Sequence, residues 1–243
     1  MIDSELLELL EELFTIGGSH DISKSIEIRK KLKEFLIKDE YLLGNQSNEN
    51  VITAKTAIRF IDANNVYANT SDVTKASMYL NGFFNNLISK KENWTYYEAQ
   101  FLIASCHLTQ SVEQTVLLGN KAISSFVNFY DNDYLGIMEG ILSCNICARI
   151  LYAEYFEEGI NSKEYLADEF KNWFTKLRLL AQKHHELELS NLVTKIRYSL
   201  FNKEKEWVDK YLEELENNYG PQIAKVINRE VLYYTSTEQF NIV

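Results

Sequence analysis

The sequence predicts an all-α protein, a superhelix of antiparallel helical hairpins, and three observations carry that prediction. Nine Gly and one Pro in 243 residues are too few for β architectures, which need turn formers roughly every 8–12 positions. Apolar residues recur at helical spacing through nearly the whole chain. A helix–loop–helix unit then repeats with starts about 40–50 residues apart, the range of helical-hairpin solenoids, although the repeats share pattern more than identity. Hydrophobic content of 46% with 25% charged residues supplies a sizeable core and excludes disorder.

Taken in order, Leu6, Leu7, Leu9, Leu10, Leu13 and Phe14 mark a first helix from Ser4 that Gly17-Gly18 closes. A second helix, capped by Asp21 or Ser23, runs through Ile26, Ile28, Leu32, Phe35 and Leu36 to about Leu42. The polar run Gly44–Asn50 follows as a loop. Hairpins are then expected at Val51–Tyr67 with Val73–Ser89, Trp94–Leu108 with Val112–Tyr130, Tyr134–Phe156 with Lys163–His184, and Leu187–Leu200 with Lys205–Tyr219. Gly220-Pro221 breaks the chain before a last helix over Gln222–Tyr234, because Gly suits a C-cap and Pro the first turn. No interior stretch reads as a linker, so the expectation is one helical-repeat domain over residues 1–243.

The charge balance, 25 Lys and Arg against 35 Asp and Glu for a net −10, repels phosphate backbones and anionic lipid. No stretch approaches the roughly 18 consecutive apolar residues of a membrane span, and the start Met1-Ile2-Asp3-Ser4-Glu5 is acidic where a secretory signal is basic. The three cysteines, Cys106, Cys144 and Cys147, are an odd number in a large acidic chain and read as reduced thiols. Together these features suggest a cytoplasmic protein.

Catalytic signatures are not found: no Gly-rich nucleotide loop, Walker lysine, paired-histidine zinc helix or nucleophile elbow. The chain reads as a non-enzyme with no cofactor. Cys144-x-x-Cys147 lies in an apolar helical run with no second Cys pair or nearby His, so both read as buried thiols and not as a zinc or redox site. His184-His185 ends a basic helix, where a cation suits the dipole, and adjacent imidazoles point about 100° apart, too divergent to share a metal. Cys106-His107 is set aside as a nucleophilic pair for the same reason. Gly136-x-x-x-Gly140 reads as a close-packing face.

The segment Tyr79-Leu80-Asn81-Gly82-Phe83-Phe84, followed by Lys91-Glu92-Asn93-Trp94-Thr95-Tyr96-Tyr97-Glu98, resembles the signature of the Rgg/GadR/MutR transcriptional regulators. Asn93 is expected to cap the helix there, Trp94 and Tyr97 to anchor it, and Glu98 to favour its first turn. Gly140–Ile146, an apolar helix with a single Asn, resembles a further element of that family. The resemblance covers nearly all of the chain, but only the Trp-Tyr-Tyr-Glu element is specific.

The resemblance implies the C-terminal regulatory domain of a homodimeric regulator of Gram-positive bacteria, built as a right-handed superhelix of tetratricopeptide-like repeats. It also implies a short hydrophobic peptide pheromone bound on a concave face, hence quorum sensing. Residue 1 already begins the acidic first hairpin, so DNA is expected to be reached only through a helix-turn-helix domain not contained in this chain. A desolvated peptide backbone needs donors and acceptors, which Asn supplies. The expected clamp is Asn145 with Arg149 one turn on and Tyr152 as an apolar wall, with Asn81 and Asn85 as a second clamp. Dimerisation is expected through Trp207, Tyr211, Tyr233 and Tyr234. The alternative is a stand-alone helical-repeat scaffold for protein–protein interaction.

Overall fold

The helical period of the sequence is realised in eleven α-helices, with no strand among the described residues. The structure, a computed structural model, describes residues 2–16, 22–43, 49–70, 72–90, 94–129, 131–157, 159–237 and 240. The chain packs as two compact units, Met1–Gln110 and Ser111–Val243, and each is described by itself. The expected hairpin of Trp94–Leu108 with Val112–Tyr130 straddles this division.

The first unit holds α1 (Ser4–Ile16), α2 (Ile22–Leu43), α3 (Glu49–Thr70), α4 (Val73–Ser89) and α5 (Tyr96–Ser105), closed by a 3-10 turn at Cys106–Leu108. Successive helices pack on one another from α1 to α4, and α5 returns against α3. Leu6, Leu10, Leu32, Ile61, Leu80, Phe84 and Phe101 are enclosed, each contributing roughly 1.5–3 kcal/mol by leaving water. Phe101 gathers Phe14 at 5.1 Å and Phe60 at 5.6 Å. A half-buried fork from Arg29 Nε and Nη2 to Asp62, at 2.6 and 3.0 Å, ties α2 to α3.

The Trp94–Glu98 element begins α5. Trp94 is buried, and its Nε1–H donates to the Leu87 carbonyl at 3.3 Å. The cap is Thr95: Glu98 N–H donates to Thr95 Oγ1, and Thr95 N–H donates back to Glu98 Oε2 at 2.7 Å, a reciprocal capping box. Asn93, expected as the cap, lies outside the described residues.

The second unit holds α6 (Val112–Phe126), α7 (Asn132–Phe156), α8 (Lys163–Ala181), a 3-10 turn at His185–Leu187, α9 (Glu188–Phe201), α10 (Lys205–Tyr219) and α11 (Pro221–Thr235). Helix α7 is its centre, packed by α6, α8 and α9, while α10 lies on α9 and α11 on α10. Gly136 and Gly140 admit the segment that follows α8. A Cβ at Gly136 would collide with the His184 ring, and one at Gly140 with Leu187. Gly220 holds φ +83° between α10 and α11, a left-handed conformation open to Gly, and Pro221 opens α11.

Several ends differ from expectation: α3 starts at Glu49, inside the expected polar loop, and runs on to Thr70, and α5 stops at Ser105, before Leu108. The sixth helix stops at Phe126, before Tyr130, and the eighth at Ala181, before His184. His184 and His185 therefore lie beyond the last helical turn instead of serving its dipole, and His185 Nδ1 sits 3.3 Å from Glu186 Oε2 in the open. Among the described residues one stretch, Tyr134–Phe156, is long and apolar enough to cross a membrane by length and composition, and 56% of its most apolar part is buried inside the structure.

Candidate functional site

From Ile141 to Phe156, α7 keeps solvent contact at Ile141, Asn145, Ala148, Glu154 and Phe156, while Tyr152 is 8% exposed and the remaining positions are buried. Ile141, Asn145, Ala148, Tyr152 and Phe156 fall three or four residues apart and so share one helical face. That face is apolar apart from the Asn145 amide. Such a half-wet apolar stripe on a core helix is a surface chemically suited to an apolar ligand, and an amide such as that of Asn145 is the kind of group that can orient one.

The predicted partners of Asn145 are placed differently from one another. Tyr152 walls the stripe, its ring 4.9 Å from Phe156. Arg149 is 0% exposed, its guanidinium 5.7 Å from the Tyr152 ring centroid, and its Nη2 donates to Glu157 Oε1 at 2.7 Å. It is thus an enclosed brace at the end of α7 and not a side chain open to solvent beside Asn145. The physical reason is Glu157: a desolvated cation needs a counter-charge within the fold, and the helix C-cap residue supplies it.

Asn81 and Asn85 lie on α4, in the first unit, and Asn85 Nδ2 donates to Asn81 Oδ1 at 3.2 Å. They form a local pair on a partly exposed face. Among the dimer candidates, Trp207 is 45% exposed and stacks on Tyr211 at 5.6 Å and 28°. Lys210 Nζ lies 4.5 Å from the Trp207 ring and Lys195 Nζ 5.5 Å from the Tyr211 ring. Tyr233 is half-buried on Phe156 at 4.9 Å. Tyr234 departs from the expected surface patch: it is 2% exposed and packs on Tyr155 at 5.1 Å, so within this chain it is core.

One group escaped the sequence reading. Arg197 of α9 grips Glu230 of α11 through Nε at 2.8 Å and Nη2 at 3.0 Å. Its Nη1 donates to the Cys144 carbonyl at 3.2 Å and approaches Cys144 Sγ at 3.3 Å. Burial opposes the Arg197 charge, yet Glu230, with Cys144 and Tyr234, outweighs it and holds the pKa above the ordinary guanidinium value. Sequence offers no signal for a pair 33 positions apart.

All three cysteines are buried free thiols. The two of the C-x-x-C spacing have separate surroundings, Cys144 beside Arg197 and Cys147 with Sγ 4.0 Å from the Phe170 carbonyl. Among the described residues, no group of three His, Cys, Asp or Glu side chains is placed to hold a metal ion. Cys106 is enclosed, and the neighbouring His107 packs edge-on to Tyr67 at 5.4 Å. Compared with protein-family models, curated proteins and solved structures, the chain matches none.

Proposed function

We propose that this chain is a peptide-sensing regulatory and dimerisation domain of the Rgg/GadR/MutR kind, working in the cytoplasm of a Gram-positive bacterium as part of a transcriptional regulator. In this reading its hairpins form a right-handed tetratricopeptide-like superhelix, and contact with DNA belongs to a separate helix-turn-helix domain. The observation that carries the proposal is the half-exposed apolar face of α7 with the Asn145 amide at its middle. The Trp94–Glu98 element, which starts α5 as the resemblance implies a helix should start there, supports it. The exposed Trp207–Tyr211 stack supplies a surface for dimerisation.

The ligand is a short apolar peptide. Its side chains cover Ile141, Ala148 and Phe156 while a backbone amide exchanges a hydrogen bond with the Asn145 side chain. Panning a library of seven-residue peptides against the full chain, then measuring enriched peptides by fluorescence polarisation, tests this. Saturable binding that drops at least about tenfold in Asn145→Ala and is blocked in Ala148→Arg is expected. Affinities equal in wild type and both variants would remove α7 as the site.

A further inference from the structure

The α7 face continues past the end of α7. Tyr152 lies 4.9 Å from Phe156, and Phe156 lies 4.9 Å from Tyr233 of α11 with the rings inclined by 31°. The outermost surface of the stripe is therefore built by two helices far apart in sequence. A ligand that reaches Phe156 meets Tyr233 beside it when α11 is docked, and loses that contact when α11 departs.

The same two helices are joined again one residue before Asn145. The Arg197 guanidinium spends Nη1 on the Cys144 carbonyl of α7 and its other edge on both oxygens of Glu230 of α11. A planar fork is suited to this because it meets a carboxylate with two parallel bonds and still has a donor to aim elsewhere. A buried charge of this kind is a poor source of net stability compared with apolar packing, so its value lies in fixing geometry. Here it fixes the backbone under Asn145 relative to α11.

Resting on the reading of α7 as a peptide face, we infer that Arg197 is a positioning residue through which the peptide face and the docking of α11 are coupled. A peptide lying from Asn145 to Phe156 has higher affinity for the state with α11 docked, because that state presents Tyr233 beside Phe156 and, through Glu230, holds Arg197 against the Cys144 carbonyl. Differential affinity of that sort shifts the docking equilibrium, and by linkage the docked helix tightens peptide binding by the same factor. Helix α11 is then the element that reports occupancy to whatever it touches.

Hydrogen exchange of the α11 amides, read by mass spectrometry on the full chain with and without a library-selected peptide, tests the coupling. Peptide is expected to slow α11 exchange on the order of tenfold in wild type. In Glu230→Gln, which keeps the shape and removes the charge, peptide still binds but leaves α11 exchange nearly unchanged, whereas Arg197→Lys keeps part of the effect. Wild type that binds peptide with no change in α11 overturns the inference and leaves the peptide reading standing. Equal protection of α11 in wild type and Glu230→Gln removes Arg197 from the role. If no peptide binds wild type, the α7 reading falls and the inference falls with it. Circular dichroism of each variant confirms that the exchange is read on folded protein.

Discussion

Glu157→Gln tests how the far end of α7 is held. The Arg149 side chain is fully enclosed, that of Glu157 is 12% exposed, and their closest atoms are 2.7 Å apart. At an effective dielectric of about 20, charges this close attract by roughly 6 kcal/mol, most of which offsets the loss of their hydration. Removing the carboxylate charge alone leaves the guanidinium enclosed without its counter-charge, a change that costs about 3–5 kcal/mol. Glu157 keeps a little solvent contact, so the lower end applies, near 3 kcal/mol. For a chain of this size that lowers Tm by roughly 6–12 °C. The companion variant, Arg149→Met with Glu157→Gln, removes both charges and returns to within about 1 kcal/mol of wild type. Urea titration followed by far-ultraviolet circular dichroism measures both. Equal losses in the single and double variants would refute the reasoning, because the loss would then come from replacing the Glu157 side chain itself and not from the uncompensated Arg149 charge.

Thr95→Ala removes the side-chain half of the α5 capping box and is expected to destabilise by about 1 kcal/mol, with Thr95→Ser restoring most of it, read as the shift in urea midpoint. Asp72 caps α4, and its carboxyl is held below the ordinary carboxylate range by the Lys75 backbone N–H first and the Lys75 side chain second. The folded pKa lies below the unfolded one, so the charged cap contributes fully above about pH 4 and its contribution fades as pH falls through the lower folded value. Solvent screening keeps the effect small: Asp72→Ala loses roughly 0.5–1 kcal/mol at pH 7, and the gap between variant and wild type closes as pH falls below about 4.

Helix ends were legible where the chain carries a chemical stop. Val73–Ser89 and Lys205–Tyr219 match their predicted bounds, the first opened by the Asp72 cap and the second closed by Gly220. Where no stop residue stands, hydrogen bonding decides. Asn128 and Phe129 N–H donate three residues back, to the Ser125 and Phe126 carbonyls, which ends α6 although Val127 and Phe129 prolong the apolar pattern. Lys183 and His184 N–H both donate to the Leu180 carbonyl and end α8 inside a basic run that periodicity cannot divide. At the start of α5 the sequence reading named Asn93 as the cap; Thr95, two positions on, is the N-cap, because Glu98 three residues after it closes the box.

The candidate site was legible to the extent that it is local. Asn145 and Tyr152 share a face because seven residues make nearly two turns. Arg149 has the right spacing as well, but its environment is set by Glu157 beyond the helix end, which no periodicity encodes. Phe156 and Tyr233 adjoin because α11 returns, and Arg197 finds Glu230 and Cys144 for the same tertiary reason.

Helix α7 also explains why composition alone is a weak guide to its surroundings. A helix apolar on all sides belongs in a core or in lipid, and α7 comes near to this by residue content, with Glu139, Arg149 and Glu154 as the charged exceptions past its first turn. Three neighbours, α6, α8 and α9, cover most of it, and Gly136 and Gly140 bring the segment after α8 close enough for His184 and Leu187 to sit against its backbone. From Ile141 onward what remains is the stripe with Ile141, Ala148 and Phe156 partly in water, surface that gains on the order of 25 cal/mol for each Å² a ligand covers. Area of that kind attracts any apolar group without regard to direction. In the proposed reading Asn145 adds direction, since its amide can exchange a hydrogen bond with a ligand that carries a backbone-like donor or acceptor at that point along the stripe. A peptide carries such groups at every residue, which is why the proposed ligand is a peptide and not a lipid or another purely apolar molecule.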